Sequence, residues 1–327
     1  MIETHTRPVS ILMVGIGGYG ELYLKTLWED VASESYDLCG IVDPIADRSA
    51  HFTQVQECTI PVFSKIKDFY GTGSSADLAV IASPIHCHVP QAYTALKHGS
   101  NVLCEKPIAG TIQDVETLIN ARDASGKGVM IGYQWSYSQA IQALKMDIMS
   151  GLFGKPIRLR TLCFWPRDDI YYSRNDWAGR IKSDDGVWIL DSPVNNAMAH
   201  FLHNLFYILG PETHLSAIPQ EVTAELYRAV PIENYDTAAC RIVTSDGTEL
   251  LFYGSHVTAI NKDPMFRFEF EDAVITFDET SGEIIAADNK GNQKHYGSPD
   301  DDHQFRKLFD AIEAVRHPRP IICGPEA

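Results

Sequence analysis

Ser10-Ile11-Leu12-Met13-Val14-Gly15-Ile16-Gly17-Gly18-Tyr19-Gly20 runs a short apolar strand straight into a glycine-rich turn, and a helical pattern follows from Tyr19 to Asp30. The spacing of Gly15, Gly17 and Gly20 is G-x-G-x-x-G. The first glycine permits a tight turn, the second lets a pyrophosphate approach the backbone, and the third allows helix and strand to pack closely. The helix start, spanning Ile16, Gly18 and Tyr19, offers N–H groups to an anion. Taken alone such a turn is weak evidence. A second observation strengthens it: Asp43 stands 23 residues past Gly20, at the end of the next apolar run, Asp37 to Asp43. That is where an acid accepting from ribose hydroxyls is expected. Together they predict a dinucleotide site. An acid there repels a 2′-phosphate, so NAD is expected over NADP, although Arg48, five residues on, is placed to accept such a phosphate.

Working outward, strand and helix alternate. Helices are expected from Ala46 to Gln56, from Val89 to Gly99 and from Gln113 to Ser125. Strands are expected at Asp77 to Ser83, Asn101 to Glu105 and Val129 to Tyr133. Continuous apolar strands separated by helices imply a doubly wound parallel sheet covered on both faces. After Gly151 the character changes. Pro156–Trp165, Val222–Ala229, Thr237–Thr244, Glu249–Val257, Phe266–Phe270 and Val274–Phe277 read as strands in succession, with a hairpin signal at Ser245-Asp246-Gly247. That predicts a mainly antiparallel sheet in a second domain. One helix interrupts, from Pro193 to Leu209, with Ser192 as its N-cap and Gly210-Pro211 as its stop. The expected division is 1–127 for dinucleotide binding and 128–327 for substrate binding and oligomerisation. Gly324 to Ala327 reads as the start of a further helix.

Composition narrows the function. Twenty-seven Lys and Arg against forty-three Asp and Glu give a net charge of −16, which argues against nucleic acid or an anionic membrane as a partner. No stretch reaches the roughly 18 uncharged apolar residues of a membrane span. The polar start, Met1 to Ser10, carries no secretory pattern. Seven scattered cysteines without a C-x-x-C pair fit reduced thiols in a cytoplasm, and no metal site is expected.

From Ile81 onward the chain resembles the Gfo/Idh/MocA family of sugar and polyol dehydrogenases. Ile81-Ala82-Ser83-Pro84 followed by His88 is similar to the family's Ser/Thr-Pro-x-x-x-His. The run from Ala95 to Pro107, ending in Glu105-Lys106-Pro107, is similar to its most diagnostic segment. The resemblance implies an N-terminal Rossmann domain followed by an α/β domain whose large open sheet joins copies into a homodimer or homotetramer. It implies that Ser83, Pro84, His88 and Glu105 line the cofactor. Lys106 would reach both the nicotinamide ribose and the substrate hydroxyl, where a cation favours a developing alkoxide.

The family's second catalytic element is Asp-x-x-x-His at the start of a long helix. Counting back from Tyr207-Ile208-Leu209-Gly210, His200 falls on the histidine and Asn196 on the aspartate. A spacing of four puts both on one helix face. Asparagine can orient an imidazole but brings no charge to it. His203 is the rival histidine, and Asp191 is a candidate for the acid in another place. Tyr133, Gln134 and the loop from Tyr171 to Arg180 would wall the pocket. Tyr133, Trp177, Arg180 and Asn195 are expected at the substrate and Gln134 at the cofactor. The reading is an NAD-dependent dehydrogenase of a sugar, polyol or derivative. Its alternatives are an NAD-retaining enzyme that cleaves glycosides by oxidation and elimination, and an NAD-binding regulator without catalysis.

Overall fold

The computed structural model describes residues 7–327. Residues 1–6, part of the stretch read as lacking a secretory signal, lie outside the described residues. The chain forms two compact units. The first comprises 1–132 together with 305–325, and the second 133–304 with 326–327.

In the first unit, β1 (Val9–Val14), β2 (Tyr36–Val42), β3 (Val62–Phe63), β4 (Leu78–Ile81), β5 (Asn101–Cys104) and β6 (Val129–Ile131) pair in parallel in the order β3-β2-β1-β4-β5-β6. Every residue of β4 is buried, as a strand covered on both faces requires. The connecting helices are α1 (Tyr19–Glu29), α2 (Phe52–Glu57), α3 (Ile66–Gly71), α4 (His88–Lys97) and α5 (Ile112–Ser125). The last starts on Thr111, whose hydroxyl accepts from the Asp114 N–H, and stops at Gly126 in the left-handed region. The strand order reverses between β1 and β4, and ligands bind at such a switch point.

Two expectations are corrected here. The single helix over 46–56 is a 3₁₀ turn, Ala46–Arg48, and then α2. Ser49 is extended between them, and its hydroxyl accepts from the His51 N–H, so local side-chain bonding competes with the helix. The compact units also divide the chain elsewhere than at 127/128. Strand β6 completes the parallel sheet against β5. A C-terminal helix, Arg306–Arg316, returns to the first unit, where Phe305, Leu308, Ala311 and Ile312 share one core with Val9, Ile11 and Met13. The Ile131 N–H donates to the Cys323 carbonyl at 2.8 Å, tying that tail to β6.

The second unit holds α6 (Gln139–Met149), α7 (Asp169–Ser173) and α8 (Ala199–Tyr207) around an eight-stranded sheet. Its strands are β7 (Pro156–Phe164), β8 (Pro219–Tyr227), β9 (Thr237–Thr244), β10 (Glu249–Ser255), β11 (Lys262–Phe270), β12 (Ala273–Phe277), β13 (Ile284–Asp288) and β14 (Gln293–Gly297). They lie in the order β14-β13-β12-β11-β7-β10-β9-β8, and only β7 and β10 run parallel. Burial alternates along β9, β11 and β12, the signature of a sheet with one face on a core. Edge strand β8 is exposed throughout. The expected helix over 193–209 is instead a π turn, Pro193–Ala197, followed by α8; the break falls at the fully buried Met198, whose ψ of 9° leaves the helix. The C-terminal helix is labelled α9. Residues 324–327 begin no helix.

Candidate functional site

In the first unit, the carboxyl ends of the strands gather the predicted residues. Gly15 leaves β1 with φ +84°, and a Cβ there would lie 2.8 Å from the Ser83 nitrogen. Gly20 is tighter: a Cβ would fall 2.1 Å from the Gly15 carbonyl oxygen, so only glycine lets α1 start against the strand end. A Cβ on Gly17 would meet nothing within 4 Å. That face of the turn is open, and Gly18 heads α1 without a capping side chain. An uncapped helix start beside an open glycine turn fits a pyrophosphate.

Asp43 sits at the end of β2. One carboxylate oxygen accepts from the Ile16 N–H and the other from the Ile45 N–H, each at 2.9 Å. A carboxylate has about four lone-pair positions, so these two bonds leave about two, one on each oxygen. The residue thus braces the glycine turn and retains acceptors that suit a vicinal diol.

Other predicted cofactor residues are turned inward. The Tyr19 ring packs against Phe305 at 5.4 Å, so its side chain belongs to the core. Ser83 donates to Gln91 Oε1, and Pro84 follows it half-buried at the end of β4. His88 is 1% exposed, with Nε2 2.8 Å from the Ser83 carbonyl and Nδ1 2.7 Å from the Pro107 carbonyl. It buckles the end of β4 to the segment after β5. Burial lowers its pKa, against the pull of those two carbonyls and of Glu105.

Glu105 is 6% exposed, ion-paired to the fully buried Lys307 of α9, and accepts from the Tyr23 hydroxyl at 2.7 Å. Burial alone would raise its pKa; Lys307, Tyr23 and Lys106 outweigh that and hold it below the ordinary carboxylate range. The same pairing lifts Lys307 above the usual lysine value despite burial. This pair fastens α9 to the sheet, which the sequence reading missed because a lysine in an amphipathic helix carries no signal of burial. Lys106 is half-buried, and its peptide bond to Pro107 is cis.

In the second unit, Tyr133, His200 and His203 come together. The Tyr133 ring stacks on His203 at 3.9 Å and meets His200 edge-on at 5.8 Å. Burial, and the charge of Lys145, push the His203 pKa down to about 3, so that ring is neutral. Lys145, itself fully buried, lies 3.7 Å over the Tyr207 ring. His203 is thereby part of a packed aromatic stack.

Asn196 directs its amide away from a purely orienting role. Its Nδ2 donates to Asp191 Oδ1 at 2.6 Å, while Asp191 Oδ2 accepts from the Gly179 N–H at 2.6 Å. Asp191 is 3% exposed, and its carbonyl accepts from Asn234 Nδ2. A carboxylate therefore stands one hydrogen bond behind position 196. Ser192 caps the π turn by accepting from the Asn195 N–H at 3.1 Å. Asn195 and Trp177 are half-buried, Trp177 held through the Asn175 side chain. Arg180 is engaged by Asp184 at 2.8 Å and Glu233 at 3.4 Å, so its charge is already met by two carboxylates. Gln134 lies half-buried in a 3₁₀ turn, next to Trp135, whose indole donates to Asp300. Among the described residues, no three His, Cys, Asp or Glu side chains gather as a metal would need, and no helix is long and apolar enough to cross a membrane.

A six-stranded sheet of this order, with the glycine turn and Asp43 at its switch point, defines the class of dinucleotide-binding Rossmann proteins. Residues 9–133 match the Gfo/Idh/MocA model, described as an oxidoreductase family with an NAD-binding Rossmann fold. Inositol 2-dehydrogenase from Burkholderia cenocepacia is 24% identical over 211 residues, covering 62% of this chain and 55% of that protein. D-xylose 1-dehydrogenase [NADP(+)] from Haloarcula marismortui is 28% identical over 156 residues, covering 46% and 42%. The chain thus spans about half the length of the curated relatives it matches. Among solved structures, the WlbA dehydrogenase from Chromobacterium violaceum, in complex with NADH and UDP-GlcNAcA, superposes with a TM-score of 0.78. It is 18% identical, over 97% of this chain and 88% of that one, and shares the fold across both units.

Proposed function

We propose that the protein is an NAD-dependent oxidoreductase that moves a hydride between a hydroxyl or carbonyl carbon of a sugar, polyol or sugar derivative and nicotinamide. The observation that carries this is the carboxyl edge of the first sheet, where the open glycine turn, the half-satisfied Asp43 and Lys106 follow the ends of β1, β2 and β5. NAD supplies the hydride acceptor. The chain's own residues do the rest. The α1 start and Gly17 hold the pyrophosphate, and Asp43 accepts from the ribose diol and repels a 2′-phosphate. Lys106 favours the developing alkoxide. His200 takes or returns the hydroxyl proton, with Asn196 and Tyr133 fixing its place.

The names of the relatives, an inositol and a xylose dehydrogenase, support a polyhydroxylated substrate. Asp191 behind Asn196 supplies a carboxylate where the family's aspartate is replaced, which favours an enzyme over an inactive regulator. We assign a second copy of the chain as partner through the eight-stranded sheet, whose edge strand β8 exposes Val222, Leu226 and Tyr227. Seven cysteines, all free thiols, support a cytoplasmic setting. Nicotinamide absorbance under a panel of sugars and polyols tests the reading. Net reduction is the expected result. Product without net change would assign the glycoside-cleaving route, and neither would leave a regulator.

A further inference from the structure

A small cavity in the second unit lies between the loop that holds Tyr171, Tyr172 and Gly179 and the segment Asp191 to Pro193. Tyr172, Tyr235 and His256 line it. His256 is 4% exposed and follows β10 directly. Its Nδ1 lies 2.8 Å from the Trp165 carbonyl, which can only accept, so Nδ1 carries the proton. Burial, with Arg167 adding to it, brings the pKa of the ring down to about 4. The imidazole is neutral, and Nε2 is a bare acceptor with no hydrogen bond among the described residues.

Two tyrosines share the wall with it. The Tyr172 hydroxyl is buried without a partner, and burial raises its pKa, so it keeps its proton. The Tyr235 hydroxyl accepts from Ser192 Oγ at 3.0 Å, which leaves its own proton uncommitted. Both oxygens of Asp191 are occupied by Asn196 and Gly179. The cavity therefore presents one strong acceptor and two O–H donors. A ligand group that satisfies all of them must donate once and accept at least once, which describes an alcohol hydroxyl. An apolar group would leave buried polar atoms unpaired at full desolvation cost. A carboxylate would face the lone pair of His256 and the negative charges of Asp191 and Asp236, both of which already act on Tyr172.

We infer that this cavity is a specificity subsite that accepts one neutral hydroxyl of a polyhydroxylated substrate, through His256 Nε2 as acceptor and Tyr172 as donor. The inference rests on the proposed reading of the site as acting on sugars or polyols. A water held there is displaced by a hydroxyl that reproduces its bonds, whereas a methylene cannot do so. A site built to bond a hydroxyl discriminates strongly against the analogue that lacks it.

The test uses the full chain labelled with ¹⁵N-histidine, with glycerol and myo-inositol as probes. The His256 Nε2 resonance, assigned by its loss in His256→Gln, is expected to shift saturably with either polyol. Tyr172→Phe removes a hydroxyl that has no partner, so it is expected to fold as stably as the parent. It should weaken polyol binding about 5-fold, the worth of one ordinary hydrogen bond. A resonance that no polyol moves assigns a structural water pocket only, and overturns the inference. Equal affinity in Tyr172→Phe overturns it as well. Nicotinamide reduction measured in parallel separates the two readings. Turnover with an unmoved resonance sinks the subsite alone, and a moved resonance without turnover sinks the oxidoreductase assignment alone.

Discussion

Asn196→Asp looks like a simple restoration of the aspartate in the Gfo/Idh/MocA pattern, and the structure makes it a costly change. Asn196 Nδ2 lies 2.6 Å from Asp191 Oδ1, and Asp191 is 3% exposed. Aspartate at 196 turns that donor into a second carboxylate oxygen. Two charges about 4 Å apart repel by about 4 kcal/mol at an effective dielectric of about 20. The folded protein escapes by keeping one proton on the pair. Holding a proton on a carboxyl of ordinary pKa about 3.9 at about pH 7 costs about 4 kcal/mol, so the two routes agree in size. The sign follows from linkage. The folded-state pKa is raised above the unfolded one, so the deficit is absent below about pH 4. It then grows by about 1.4 kcal/mol per pH unit until the folded pKa is passed. Urea unfolding of parent and variant at about pH 5 and about pH 7 should give deficits of about 1.5 and about 4 kcal/mol. A deficit that does not change with pH, or none at all, would refute the contact between positions 191 and 196. Restored activity in Asn196→Asp at neutral pH would refute it too.

Further outcomes follow from the same contacts. Lys307→Met leaves the Glu105 carboxylate buried without its cation and should cost about 3–5 kcal/mol in urea unfolding. Its stability should fall with rising pH, because Glu105 then has to be protonated, whereas in the parent the pairing is lost as pH falls. Asp43→Ala should weaken NAD binding and narrow its margin over NADP in tryptophan-fluorescence titrations, since the ribose acceptor and the anion that rejects a phosphate go together. Lys106→Ala should abolish turnover while leaving a folded protein, checked by activity and circular dichroism side by side. His200→Ala should lower kcat by roughly 10²–10⁴, as loss of a general acid–base group does. His203→Ala should instead lower the melting temperature, because it opens the stack between Tyr133 and Tyr207.

Most of the fold was legible because parallel strands buried on both faces read as unbroken apolar runs, and Ile11 to Val14, Leu78 to Ile81 and Val102 to Cys104 do so. What failed to show has physical reasons. Strand β3 is two residues long, and β14 is a polar edge with no buried face to impose alternation. Helix α9 lies some 170 residues from the sheet it covers, and sequence order gives no hint that a C-terminal segment returns to the first unit. Its apolar stripe announces a helix with a buried face but not the partner that buries it.

For the site, motif position identified the neighbourhood better than the direction of each side chain. The stretch Ser83 to His88 and the run through Glu105 do lie at the carboxyl edge of the sheet, yet His88 and Glu105 point inward and tie strand ends together. A residue required to hold the backbone of a binding edge recurs in a motif as firmly as one that touches the ligand, so the motif alone cannot separate the two. Burial does separate them. His88 and Glu105 are 1% and 6% exposed, while Lys106 between Glu105 and Pro107 is half-buried. His256 and Tyr172 carry no motif at all. They stand out only in three dimensions, where a proton fixed on Nδ1 by a carbonyl and a hydroxyl with no partner among the described residues line one small cavity. Chemistry held on the edge of a sheet is written into short runs of sequence. A cavity assembled from a loop, a five-residue helix and a strand end appears only once the fold has brought them together.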